Sequence, residues 1–202
     1  NFFSKFTQKQ LKIFNDAASL AEKLINKKVM KHIACSAATS HIPQSHFNMV
    51  RVGINLYGLQ SVGARARLLK LKPVLSWKTI VAQIKNVRVG EPIGYGLSGV
   101  MPYNGQIAIL PIAYWDGYDR KLYYIGEVLN LGKRCKIIGR ICMNMCMAIC
   151  PKNNSTKPED EVVLIGEQNK EKITTDELAA KIKTINYEVV ARINPLMPRV
   201  VN

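Results

Sequence analysis

From Lys72 onward the chain is a succession of short apolar segments cut by turn formers. They read "WKTIVAQIKNVRV", "QIAILPI", "GEVLNL", "CKIIGRI", "MCMAIC" and "EVVLIG", and Gly, Asn, Pro and Asp separate them. Runs this short, rich in Val and Ile and evenly spaced, predict an antiparallel all-β unit resembling a small barrel. The polar stretch "PKNNSTKPED" (151–160) reads as a loop. One helix is expected after it, where Thr174 and Glu177 form a capping box ahead of "LAAKIK". The closing "TINYEVVARINPLMPRVV" reads as extended, with Pro195 and Pro198 limiting its regularity.

The first part has a different texture. Leu11, Phe14, Ala18, Ala21 and Leu24 recur at helical spacing, so residues 7–27 read as an amphipathic helix, with Thr7 and Gln10 as its capping box. "KHIACSA" then reads as a buried strand. A linker holding Pro43 leads to "MVRVGINLYG", a strand that runs into glycine. Helix, strand, loop, strand suggests the tail of an α/β layer or barrel, joined to the β unit near residues 60–75. A whole barrel needs about 250 residues and does not fit in a chain of 202.

No apolar run is long enough to cross a bilayer, so no membrane partner is expected. The start, "NFFSKFTQKQ", has no initiator Met and lacks the regions of a signal peptide. A chain beginning partway through a larger cytoplasmic protein is the expectation. Five cysteines, an odd number, favour reduced thiols. Cys142, Cys146 and Cys150 share the parity of one strand face and read as buried small hydrophobes rather than metal ligands. The net charge of +15 invites a nucleic-acid or phosphorylated ligand, but the Lys and Arg residues are scattered, with no recognition signature.

Several segments end where chemistry could be carried. Ser36 follows the first strand, and Arg51 precedes Gly53 and Ile54 at the end of the second. Glycine there lets a bound group approach the backbone, whose N–H groups can hold a phosphate. Taken singly, each reads equally well as an ordinary strand end. "AYWDGYDR" (113–120) packs aromatics, acids and an arginine around an Asp116-Gly117 turn, with Arg120 as its expected anchor. "GRICMN" puts Met143 at a strand end, and "TINYE" puts Tyr187 after the last helix.

In order along the chain, "CSAA", "VRVGINLYG", "GEPIGYG", "AYWDGYDR", "GRICMN", "TINYE" and "MPR" resemble the motifs of the alanine racemases, pyridoxal-phosphate enzymes that interconvert L- and D-alanine. The resemblance implies the last βα units of a (β/α)8 barrel over residues 1–70 and a mainly antiparallel β domain over 72–202. It implies pyridoxal 5'-phosphate as cofactor and proton transfer between two bases, supplying D-alanine for peptidoglycan precursors in a bacterial cytoplasm. Tyr114 would be the base for L-alanine. A free tyrosine has a pKa of about 10, so such a base needs a cationic or hydrogen-bonding neighbour. Met143 would offer its N–H to the substrate carboxylate. Ser36, Gly53, Ile54 and Tyr187 would hold the cofactor phosphate. Arg51 would face the pyridine nitrogen, where a guanidinium offers no acceptor for a ring proton and the pyridine would stay neutral. A head-to-tail homodimer would bring the tyrosine and methionine of one chain to the barrel of its partner.

The sequence also departs from the family pattern. Cys35 stands where the family has Asn, Ala113 where it has Gly, and Asn144 where it has Asp. The Lys-Ala-Asn motif that carries the covalent cofactor lysine is absent from these 202 residues, so this chain alone is expected to be inactive. Two alternatives stand beside this reading: a stand-alone basic β-barrel module for nucleic acid or a phosphorylated ligand, and a related racemase for serine or another small amino acid.

Overall fold

The computed structural model describes residues 4–61, 69–151 and 155–201. The chain falls into two compact units, Asn1–Val74 and Leu75–Asn202. Parts of the expected joint (62–68) and of the polar loop (152–154) lie outside the described residues.

The first unit opens with α1 (Lys5–Ile25). Its N-cap is Ser4, whose hydroxyl accepts the Thr7 N–H at 3.1 Å. The expected Thr7–Gln10 box is therefore displaced by one turn, because Ser4 offers the same hydroxyl acceptor earlier. Asn26 closes the helix in the left-handed conformation and donates its N–H to the Glu22 carbonyl. "KHIACSA" is not a full buried strand. Cys35 makes a single parallel bridge with Arg51, and its side chain is exposed. The following residues wind directly into α2 (Ser36–His41). The parallel sense of that bridge is the local signature of a βαβ arrangement. After Gly53 the second strand turns into a 3-10 turn, Ile54–Tyr57, closed by the left-handed Gly58.

The second unit is a set of antiparallel sheets. β1 (Trp77–Ile80), β2 (Gln83–Val87), β3 (Pro92–Ile93), β4 (Gly99–Val100), β5 (Gly105–Leu110), β6 (Glu127–Asn130), β7 (Lys133–Lys136), β8 (Cys146–Ile149), β9 (Glu161–Gln168) and β10 (Glu171–Ile173) follow in order. One sheet runs β1-β9-β6-β7 with β10 added on β9, a second runs β2-β5-β8, and β3 pairs with β4. A single antiparallel bridge, Ile137 to Ala148, ties the end of β7 to β8. Val162, Val163, Leu164 and Ile165 of β9 are all buried, because β9 is an inner strand. They join Leu110, Ile112, Tyr118, Leu129 and Cys146 in one core. Each such aliphatic side chain contributes about 1.5–3 kcal/mol on burial.

α3 (Thr175–Lys181) is capped as the sequence predicts, with the Glu177 N–H donating to Thr174 Oγ1 at 3.0 Å. It is not the last helix. Asn186–Ala191 forms α4, where an extended tail was expected. The six-residue apolar period is short, but Val189 is buried against the core and fixes it as helical. Cys146 and Cys150 are buried as expected, and Cys135 is buried too; Cys142, expected to join them, is only half-buried because it precedes β8.

Candidate active site

The first unit gathers Ser36, Arg51, Gly53 and Ile54. Hydrogen bonds hold the two extended segments in register, with the Arg51 N–H donating to the Ala34 carbonyl at 2.8 Å. Ser36 is buried, and its Oγ accepts the Gly53 N–H at 2.9 Å. Its hydroxyl proton has no acceptor among the described residues. Asn55 steadies the corner by donating to the Ser36 carbonyl at 3.2 Å and to Ser40 Oγ at 2.8 Å. A Cβ added at Gly53 would meet nothing within 4 Å, so the backbone there faces open space. The Ile54 N–H is the first of the 3-10 turn and precedes any acceptor within it. The Arg51 guanidinium donates to the Ile33 carbonyl at 3.2 Å.

The second unit brings Tyr114 and Met143 together from segments far apart in sequence. After β5, the chain passes through buried Ile112 and Ala113 to a single 3-10 turn, Tyr114–Asp116. Asp116 Oδ2 accepts the Ala113 N–H at 2.8 Å and closes this turn. The Trp115 N–H donates to the Met143 carbonyl at 3.0 Å, and the Tyr114 N–H to the Cys142 carbonyl at 3.5 Å. Ala113 has φ of −164°, extended backbone that any residue adopts, so the loss of the family's glycine is mild. The Met143 N–H has no acceptor among the described residues.

Tyr114, Met143, Arg120, Arg140, Cys142 and Asn144 line one open groove together with Tyr95. It holds two guanidinium groups and no carboxylate, a setting that favours an anion. Burial raises the Cys142 thiol above its ordinary range, while Arg120 draws it back. Arg120 is not the anchor of the Asp116-Gly117 turn. It is exposed and lines the groove, and the turn is held instead by Asn194 and the Asp116 carboxylate. Sequence reading missed Asn194 and Arg192, although an Asn-Pro dipeptide after a helix is a turn signal. Tyr187 is half-buried in the first turn of α4, not after the last helix, and does not line the groove. Among the described residues no His, Cys, Asp and Glu group could hold a metal ion, and no helix is long and apolar enough to cross a membrane.

Comparison with known proteins places these features. The family model described as "Alanine racemase, C-terminal domain" matches residues 74–201, and "Alanine racemase, N-terminal domain" matches residues 3–61. The chain is 40% identical over 205 residues to an alanine racemase of Leptospira interrogans, covering 98% of this chain and 53% of that protein. It is 40% identical over 197 residues to one of Carboxydothermus hydrogenoformans, covering 96% and 53%. The solved alanine racemase from D-cycloserine-producing Streptomyces lavendulae matches with a TM-score of 0.88 at 32% identity, over 98% of this chain and 52% of that one. The Bacillus anthracis alanine racemase with bound L-Ala-P matches with a TM-score of 0.84 at 38% identity, over 93% and 48%. The chain thus spans about half the length of the curated relatives it matches. These relatives give no support to a stand-alone nucleic-acid module. With both family models matched in chain order and the sheets of the second unit shared with solved relatives, the chain belongs to the alanine racemase family.

Proposed function

We propose that the full-length protein is an alanine racemase that uses pyridoxal 5'-phosphate, and that this chain supplies one of its two bases and part of its cofactor cradle. The observation that carries the reading is the pairing of Tyr114 with Met143 in one cationic groove, through the Trp115-to-Met143 hydrogen bond of 3.0 Å. In this reading residues 1–70 are the end of the barrel and 72–202 are the β domain.

The first unit fits a phosphate. Ser36 has a hydroxyl proton to give, Gly53 leaves open space, and the Ile54 N–H is available beside it. Tyr187 would add its phenol from α4. The Gly53 N–H is already given to Ser36 Oγ, so its part is to hold that hydroxyl in place. When bound, the cofactor supplies an electron sink for the pair left at the α-carbon. Arg51 would face the ring nitrogen as a donor, and since a guanidinium has no acceptor for a ring N–H, that nitrogen would stay unprotonated. By keeping that nitrogen unprotonated, Arg51 would moderate the sink and so disfavour transamination.

The phenol oxygen of Tyr114 would take the α-proton of L-alanine. Met143 would hold the substrate carboxylate through its N–H. A cytoplasmic head-to-tail homodimer, in which Tyr114 and Met143 serve the partner's barrel, completes the reading.

The test is racemisation itself. Purified full-length protein with pyridoxal phosphate is expected to convert L-alanine to D-alanine faster than L-serine to D-serine. The 202-residue chain with the same cofactor is expected to convert neither, for want of the Lys-Ala-Asn segment. No turnover by the full-length protein would overturn the reading. Turnover by the chain alone would overturn the assignment of the second base to a lysine outside it.

A further inference from the structure

The turn that carries Tyr114 is held on two sides. On one side are the Cys142 and Met143 carbonyls. On the other is Asn194, in the segment that leaves α4. Its N–H donates to the Asp116 carbonyl at 3.0 Å, and its Nδ2 to the Trp115 carbonyl at 3.2 Å. Both acceptors belong to the turn itself.

Asn194 is in turn fixed from behind. Its Oδ1 accepts the Leu196 N–H at 2.9 Å, and its carbonyl accepts the Arg199 guanidinium at 3.2 Å. This gives the "MPR" segment a structural partner. The approach is close. A Cβ on Gly117 would lie 2.4 Å from the Arg192 carbonyl oxygen, so only glycine admits the segment. A second tie, Arg192 Nη1 to Asp119 Oδ2 at 2.5 Å, holds the far end of the turn.

Tyr114 is 41% exposed, so packing of its ring does not fix it. Its direction is set by the backbone it stands on. On the racemase reading above, we infer that Asn194 is a positioning residue for Tyr114. Its two donors fix the carbonyls of Trp115 and Asp116 and thereby the angle at which the phenol meets the α-carbon of L-alanine. A base must lie within hydrogen-bond reach of the proton it takes, and a displacement of about 1 Å can cost about 10²-fold.

The experiment follows α-hydrogen exchange in ²H₂O by proton NMR, with full-length holoenzyme and each enantiomer separately. Tyr114 serves L-alanine, and the base on the opposite face serves D-alanine. Asn194→Ala is expected to slow exchange of L-alanine roughly 10- to 100-fold and leave that of D-alanine within about twofold. Adding Tyr114→Phe to Asn194→Ala is expected to cost no more than Tyr114→Phe alone, since both act through one phenol. Equal slowing of both enantiomers, or slowing of neither, would overturn the inference while leaving the racemase reading intact. Wild-type protein that exchanges neither enantiomer would overturn the reading and the inference with it. If Asn194→Ala does not fold, Asn194→Asp decides. It keeps the Oδ1 acceptor for Leu196 and the backbone bond to Asp116, and it places an oxygen against the Trp115 carbonyl. The same loss for L-alanine alone is expected, and its absence would overturn the inference.

Discussion

The Trp115 amide donates to the Met143 carbonyl at 3.0 Å, and this bond joins the strand exit after β5 to the segment before β8. Both segments end beside the same groove, which also holds Arg120 and Arg140. One backbone contact therefore places a phenol, two cations and an N–H that has no acceptor among the described residues around a common space.

Tyr114→Phe removes only the hydroxyl from that space. The ring is 41% exposed, so unfolding free energy is expected to change by less than about 0.5 kcal/mol. Racemisation by the full-length protein is expected to fall about 10²- to 10⁴-fold, the usual contribution of a positioned base. Urea unfolding of the chain and turnover of the holoenzyme check the two halves.

Two glycines should respond to alanine in opposite ways. At Gly117, φ is +106° and a Cβ would sit 2.4 Å from the Arg192 carbonyl oxygen. Gly117→Ala is expected to cost at least about 1–3 kcal/mol of stability. At Gly53, φ is −121° and a Cβ would meet nothing within 4 Å. Gly53→Ala is expected to change stability by less than about 1 kcal/mol while weakening pyridoxal-phosphate binding to the full-length protein. Thermal melts and a cofactor titration followed by absorbance separate the two effects.

Arg134 bridges three carboxylates, with contacts of 3.0 Å to Glu127, 3.0 Å to Glu171 and 2.8 Å to Glu177. The Arg134 contact holds the Glu177 carboxyl below its ordinary 4.5 against the effect of burial. For Glu127, burial raises the value, but Lys181 and Arg134 together outweigh it and leave the carboxyl lowered. Groups lowered in the folded state stabilise it fully above their unfolded value of 4.5 and lose that contribution as pH falls through the folded value. Arg134→Met is expected to cost about 1–3 kcal/mol at pH 7. The loss is expected to shrink below pH 4.5, where the wild type weakens too. Denaturant midpoints of both proteins across that range give the comparison.

The thiols should separate by burial. Burial pushes Cys135 and Cys146 up to about 12, and also raises Cys150. Cys35 is exposed. Ellman's reagent at neutral pH is expected to modify Cys35 rapidly, Cys142 slowly, and the three buried thiols only after unfolding. Loss of the fast phase in Cys35→Ser identifies it.

Much of the β unit was legible because its strands are short, apolar and bounded by turn residues; β1, β2, β6 and β8 fall inside the segments first singled out, and β5 and β9 overlap theirs. The Thr174 cap was legible because capping is a contact across three residues. The second helix was not. Asn186–Ala191 carries β-branched Val189 and Val190, which locally favour strand, and only burial of Val189 against the core settles it as helix. "KHIACSA" erred the other way, since an apolar run reads as strand whether or not neighbouring strands extend the pairing.

The sequence by itself determined which residues stand at the strand exits: Ser36, Gly53, Tyr114, Met143 and the turn at Asp116-Gly117. Those choices are local, because hydroxyls, glycines and turn acids act within a few residues. Only the tertiary structure decided what meets them. Arg120 turned from an anchor into a groove wall, and the anchor came from Asn194, beyond the last helix. A hydrogen bond between residues so far apart leaves no periodic trace in the sequence, because it depends on how the chain returns and not on local preference.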